Sequence, residues 1–407
     1  MKWHRIPESG RTWPPGFRVK KGCRTAANWV ISMKVIFVSN YFNHHQKPFC
    51  EELYRKLGSD FAFVATGTMS DERKKLGYTQ GDAPVYVISA WENDQNHRAA
   101  LERIRMADVV IAGAGAEEWI ADRLRRGKLI LRYSERPFKT KPSLPRWLYH
   151  SLRFRKRDGG NRNIYMLCAS GYTAADFAGM GMYRSRMYKW GYFPAVKKYE
   201  TDRLLREKKH NSILWCGRFL DWKHPDDALR LARQLKIQGY DFEMTLIGTG
   251  TMEEELYRLA KELDVADCVR FPGSMSPEQV RSHMEQAGIY LMTSDRQEGW
   301  GAVLNESMNS GCAVVASHAA GSAPFLIRDG ENGLLYHSGN GDMLYEKVRY
   351  LLDHPDEQSR LGSNAYETIL SLWNAGTAAD RLLQLAEKIL AGEKSPRPFG
   401  EGPCSPA

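Results

Sequence analysis

The chain has 407 residues, enough for two domains of ordinary size, and its apolar (43%) and charged (26%) fractions are those of a globular protein with its own core. No apolar run approaches the ~18 residues of a membrane-spanning helix and no secretory core opens the chain, so a cytoplasmic protein is expected; seven scattered cysteines without a CxxC pair exclude a disulfide framework and a zinc site. The net charge of +10 is concentrated between Arg123 and Arg162, where fourteen Lys and Arg face only Glu135 and Asp158.

Residues 1–32 carry Trp13-Pro14-Pro15-Gly16 and several cations without apolar periodicity, and are expected to be disordered or a non-native N-terminal extension. A strand follows abruptly at 34–39, then a helix from Pro48 to Leu57 and strands at 61–65, 85–89, 108–112, 128–132 and 164–168. Alternating strands and helices predict a parallel sheet covered on both faces, so 33–196 reads as an N-terminal Rossmann-like domain. The polar stretch 197–211 reads as a linker.

A second Rossmann-like domain is expected over 212–374. It restarts with a strand at 212–217, a helix whose first turn holds Pro225, Asp226 and Asp227, and strands at 242–247, 268–271, 288–293, 312–316 and 334–336. Residues 375–391 form a C-terminal helix that either stays with this domain or crosses to the first, and the proline-rich 392–407 reads as a flexible tail. The fold class is therefore α/β, with two doubly wound domains facing a central cleft.

The segment from Glu298 to Glu306 follows a buried strand and precedes a short helix. Gly299, Trp300 and Gly301 between them predict a tight loop whose backbone N–H groups face an anion at the helix N-terminus. In the loop after the first strand of the second domain, Arg218 and Lys223 offer a fork and a point charge for a diphosphate. Either pair alone reads as solvated side chains. Together, cations for a diphosphate and carboxylates for sugar hydroxyls describe a nucleotide-sugar site. No DxD or HExxH occurs, so no metal is expected. Gly113-Ala114-Gly115 and Gly248-Thr249-Gly250 both lack the third glycine of a dinucleotide fingerprint.

These residues, with Phe271-Pro272-Gly273, Gly321 to Pro324 and Asp329 to Leu334, resemble the retaining glycosyltransferases of family 4, glycosyl transferases group 1, which have the GT-B fold. The resemblance covers about 212–390. It implies that Arg218 and Lys223 hold the donor diphosphate, that Glu306 holds the ribose, and that Glu298 lies by the donor sugar with Gly299, Trp300 and Gly301. Gly248 and Gly250 fall in the donor-side turn. It implies no cofactor, a nucleotide diphosphate-sugar as donor substrate, and transfer of a hexose to a glycan or lipid-linked acceptor in cell-surface polysaccharide synthesis. A sugar-nucleotide epimerase of the same fold and a non-catalytic partner-binding subunit are the alternatives.

The first domain departs from that family. Asn43, His44, His45 and Gln46 stand where a glycine-rich segment is usual, and Ser134 and Glu135 where a histidine is common; all six are acceptor-side candidates. Glu135 either contacts the acceptor hydroxyl or pairs with Arg132 or Arg136. In the basic stretch, a helix over 145–157 would set Trp147, Leu148, Leu152 and Phe154 at the interface of an anionic membrane, making the protein peripheral on the inner face. Nucleic acid is not expected, since no recognised binding motif is present.

Overall fold

The computed structural model describes residues 33–69, 83–158 and 160–407; the expectation for 1–32 lies outside them. The first sheet holds β1 (Val35–Ser39), β2 (Phe61–Ala65), β3 (Val87–Ser89), β4 (Val109–Ala112), β5 (Ile130–Ser134), β6 (Ile164–Cys168) and β7 (Met187–Lys189), in the order β3-β2-β1-β4-β5-β6-β7. The second holds β8 (Lys209–Cys216), β9 (Glu243–Ile247), β10 (Val269–Gly273), β11 (Ala287–Met292), β12 (Ala313–Ser317) and β13 (Leu334–Tyr336), in the order β10-β9-β8-β11-β12-β13. The pairings within both sheets are parallel. Strands such as β1 and β11 are buried at every position, because helices cover both faces and leave no wet side for polar alternation.

In each sheet the strand order reverses beside the strand that opens the domain. β1 lies between β2 and β4, and β8 between β9 and β11. Ligands of open α/β sheets bind in the crevice outside the carboxyl ends of such strands. Here the crevice is framed by residues 40–46 after β1, 217–223 after β8 and 293–301 after β11.

The linker and the strands on either side of it differ from expectation. The stretch 197–211 contains a helix, Thr201–Arg206, whose N-cap Glu200 accepts a hydrogen bond from the Arg203 N–H (2.9 Å), and β8 begins at Lys209. Lys208, polar in sequence, is buried: its ammonium donates to the carbonyls of Met284 (2.7 Å) and Ser310 (2.6 Å). β7 is too short to show a period. The helix Ala375–Leu390 packs against Lys47–Leu57 of the first domain, where Lys56 and Asp380 pair at 2.6 Å. Among the described residues, no helix is long and apolar enough to cross a membrane.

The tail is not loose. Lys189 N–H donates to the Ser405 carbonyl (2.8 Å), Cys404 N–H to that of Lys189 (2.8 Å) and Ala407 N–H to that of Met187 (3.1 Å), while the Tyr188 hydroxyl donates to the Pro396 carbonyl (2.9 Å). Cys404 and Ser405 are fully buried. The physical reason is the outer edge of β7, whose backbone groups need partners that a segment without periodicity can supply. Deleting 393–407 is expected to lower the unfolding free energy by about 4 kcal/mol, four hydrogen bonds at about 1 kcal/mol each. Urea denaturation measures this, and an unchanged midpoint would mean the tail lies on the edge without holding it.

Candidate functional site

The loop after β8 is shaped by glycines opposite it. A Cβ on Gly248, which has φ +145°, would stand 1.8 Å from the Gly217 carbonyl oxygen, and one on Gly250 would stand 2.3 Å from that of Phe219. Only glycine lets the two loops pack so closely. Gly248 and Gly250 thus position the Arg218 loop, and the space their side chains would take is filled by its backbone. Arg218 itself is exposed and makes no ion pair with a described residue. The loop closes in a turn, Asp221–Lys223, and His224 in the left-handed region (φ 47°) turns the chain into the helix Pro225–Ile237.

Lys223 does not stand free in the crevice. Its ammonium donates to Glu298 Oε2 at 2.5 Å, with both side chains nearly buried at 13% and 10% exposure, and Ser294 Oγ donates to the same oxygen at 3.2 Å. The Trp215 indole N–H donates to Thr293 Oγ1 (2.8 Å), which donates to the Lys223 carbonyl (2.6 Å), so the ends of β8 and β11 are tied together. An ammonium has three donors, which leaves Lys223 able to hold Glu298 and an anion at once.

Glu306 lies on the helix Ala302–Asn309, which Gly301 enters with φ 87°. It is half-buried, and no described residue donates a hydrogen bond to its carboxylate. Burial raises its pKa above the ordinary glutamate value, against an opposing pull from Arg281. Cys216 feels both sides of the site: burial and then the Glu306 carboxylate push its thiol up to about 12, and Lys223 opposes them. A desolvated carboxylate without a protein donor is costly, and it suits a ligand that brings hydroxyls.

Trp300 places its ring inside the protein. Its side chain is fully buried, with the indole N–H on Asn305 Oδ1 (2.9 Å) and the ring against Tyr192, Phe325 and Trp373. A Cβ on Gly191 would come within 2.3 Å of that ring. The indole therefore locks the glycine loop to the first domain and cannot face a sugar.

On the first-domain side, the candidates separate into those tied to their own backbone and those facing the second domain. Asn43 Oδ1 accepts from the His45 and Gln46 N–H groups (3.0 and 3.1 Å), and Ser134 Oγ donates to the Glu135 carbonyl (2.7 Å). Gln46 is buried towards Ser39. His44 is exposed, and its ring lies 3.7 Å from that of His45 at a tilt of 46°. His45 lies parallel to Tyr192 (5.8 Å, 9°), its Nδ1 has no hydrogen-bond partner, and burial followed by His44 lowers its pKa to about 3, which keeps the ring neutral.

Tyr192 donates to Glu135 Oε1 at 2.7 Å, and Lys139 pairs with Oε2 at 2.8 Å. Glu135 does not pair with Arg132 or Arg136. Arg132 is taken by Glu117 (2.8 Å) and Asp158 (2.6 Å), and Arg136 by Asp176 (3.0 Å). The Glu135 carboxylate instead occupies the place of a Gly299 side chain, 1.8 Å from where its Cβ would be. Glu135 and the Glu298–Gly301 loop therefore meet across the domain boundary. Tyr192 was missed in the sequence; its signal is the aromatic run Trp190-Gly191-Tyr192-Phe193 ahead of the polar stretch. Among the described residues, no group of three or more His, Cys, Asp or Glu could hold a metal.

Residues 197–368 match the profile of the family Glycosyl transferases group 1. The matched segment contains Arg218, Lys223, Glu298 and Glu306. A D-inositol 3-phosphate glycosyltransferase of Streptomyces coelicolor is 32% identical over 180 residues, 41% of this chain and 39% of that one. A lipopolysaccharide core biosynthesis glycosyltransferase, LpsE of Rhizobium meliloti, is 29% identical over 173 residues, 42% of this chain and 48% of that one. This chain thus spans less than half the length of these curated relatives. The crystal structure of Anabaena HepE in complex with UDP superposes with a TM-score of 0.65 over 88% of this chain and 100% of that chain, at 14% identity. The fold is GT-B, and the group 1 match falls on its C-terminal half.

Proposed function

We propose that this protein is a retaining glycosyltransferase of family 4 that moves a hexose from a nucleotide diphosphate-sugar to a hydroxyl of a glycan or lipid-linked acceptor, in the synthesis of a cell-surface polysaccharide. The observation that carries this reading is the Lys223–Glu298 ion pair at the carboxyl ends of β8 and β11, with Glu306 on the short helix that follows the same loop, all inside the group 1 match. The UDP held by HepE supports a nucleotide donor, and the name of LpsE supports a surface glycan.

In this reading Arg218 and Lys223 stabilise the charge that grows on the departing diphosphate, and the first-turn N–H groups after Gly301 add to it. Glu306 accepts from the ribose hydroxyls. Glu298, held by Lys223 and Ser294, orients the sugar with the Gly299–Gly301 backbone. The acceptor oxygen attacks the anomeric carbon on the face that the diphosphate leaves. The bond from that carbon to the phosphate oxygen breaks as the new glycosidic bond forms, and the phosphate oxygen takes the acceptor proton. The anomeric configuration is kept and no side-chain base is required. Glu135, held by Tyr192 and Lys139, and the neutral His45 are the first-domain groups for the acceptor.

The test is a panel of nucleotide sugars incubated with purified protein, with and without glycan acceptors, reading released nucleoside diphosphate. Release from at least one donor, with the sugar recovered on an acceptor in its original anomeric configuration, is expected. A changed sugar from donor alone would identify an epimerase, and no release from any donor would overturn the transferase reading.

A further inference from the structure

The helix Leu144–Asp158 divides its apolar residues between two faces. Trp147 and Phe154 turn inward onto the first-domain core, and Phe154 packs edge-on against Phe177 at 5.5 Å, so neither is available at an interface. Ser151 is buried beside them. The outer face is a stripe at helical spacing: Leu144, Leu148 and Leu152 are 69%, 47% and 66% exposed, with Tyr149 at 61%. Isolated exposed leucines need no explanation. Three successive turns of one helix, each presenting a leucine outward beside an exposed tyrosine, form a continuous apolar strip.

The border of this strip is cationic. Lys141, Arg146, Arg153 and Lys156 are exposed and make no ion pair with a described residue. The one carboxylate of the helix, Asp158, is buried and already taken by Arg132 and Arg157, and the nearby Glu117 is shared by the same two arginines. The outward face therefore carries apolar side chains and uncompensated positive charge together.

We infer that this face docks the protein reversibly on an anionic lipid bilayer, with Leu144, Leu148, Tyr149 and Leu152 entering the boundary below the headgroups and the four cations meeting the anionic headgroups. A narrow apolar strip on a convex helix, flanked by cations, matches the layered chemistry of a bilayer surface. The helix is also coupled to the site. Phe138, in the loop between Glu135 and the helix, packs on His150 at 5.6 Å, and its carbonyl accepts from Arg296 of the second domain at 3.3 Å. Docking would hold the Glu135 side of the crevice near the lipid surface. That last step, which makes the acceptor lipid-linked, rests on the transferase reading; the docking itself does not.

The experiment is sedimentation of the full chain with vesicles of phosphatidylcholine alone, or with roughly one-third phosphatidylglycerol, at about 0.05 M and about 0.5 M salt. At least roughly tenfold stronger partitioning onto the anionic vesicles is expected, lost at the higher salt. Leu148→Ser/Leu152→Ser and Arg153→Glu/Lys156→Glu should each reduce it roughly tenfold or more while leaving the melting temperature and soluble-donor turnover unchanged. Equal binding to neutral vesicles would overturn the proposal, as would full binding by the leucine variant. Loss in the charge variant alone would indicate a soluble polyanion or acidic protein as partner, which soluble polyglutamate would then compete for. Vesicle binding with no turnover of any donor would leave the docking standing and remove the transferase reading.

Discussion

Lys223→Met is expected to reduce donor turnover by roughly 10²–10³-fold, the loss that follows removal of one preorganised donor from a developing negative charge. The same substitution strands Glu298, whose Oε2 then keeps only Ser294 among the described residues. Breaking a fully buried ion pair from one side costs about 3–5 kcal/mol. The cost here should fall towards the lower end, since the two side chains retain 13% and 10% exposure. Stability and turnover should thus fall together, and a low rate alone would not separate a lost catalyst from a disturbed loop.

The double variant Lys223→Met/Glu298→Gln separates them. It removes both charges and leaves Ser294 a neutral partner, so most of the stability should return in urea denaturation while nucleoside diphosphate release stays low. If release recovers along with stability, the pair is an internal strut and the diphosphate cation lies elsewhere. Arg218→Ala provides the converse case. Arg218 is exposed and makes no ion pair with a described residue, so the stability should change by no more than about 0.5 kcal/mol and the effect should be confined to turnover.

The pairing of Lys223 with Glu298 marks where sequence reasoning stops. The strands were legible because a parallel sheet buries both faces and writes continuous apolar runs such as Val35-Ile36-Phe37-Val38. The donor-side residues were legible as types, since cations and carboxylates on glycine loops suit a nucleotide sugar. Their mutual contact was not, because no local rule relates positions on β8 and β11 loops until the sheet brings those strands together. The place of the Trp300 ring was not legible for a related reason. A tryptophan between two glycines does not say where its ring goes, and only Gly191, distant in sequence, reveals the slot that takes it inside. The tail failed in the same way: proline-rich composition describes the segment, while its order comes from the edge of β7. On the acceptor side, Glu135 has three nearby cations to choose from, and the choice of Lys139 follows from Arg132 and Arg136 being taken by Glu117, Asp158 and Asp176.

Glu306 should show the opposite coupling of stability and function. Glu306→Ala removes an ionised acceptor that we assign to the ribose, a contact of about 1.5–3 kcal/mol, so kcat/KM for the donor should fall roughly 10- to 150-fold. Glu306→Gln keeps the shape and removes the charge. Burial raises the pKa of this carboxyl in the folded state, so the folded protein retains a proton that the unfolded chain has already lost. Its contribution is therefore most favourable below the ordinary glutamate value and is lost as pH rises through the folded value. At neutral pH the parent bears the cost of a partly desolvated charge, and Glu306→Gln should melt higher than the parent while turning over donor more slowly. The gap in melting temperature should close as pH falls into the range where Glu306 is protonated. A glutamine variant that melts lower at neutral pH would mean the carboxylate has a donor that its surroundings do not display. One that melts higher yet turns over donor at the parent rate would move the ribose away from Glu306. A group that weakens the fold and is used by the ligand is the expected signature of a binding carboxylate, because the hydroxyls that satisfy it arrive only with the donor.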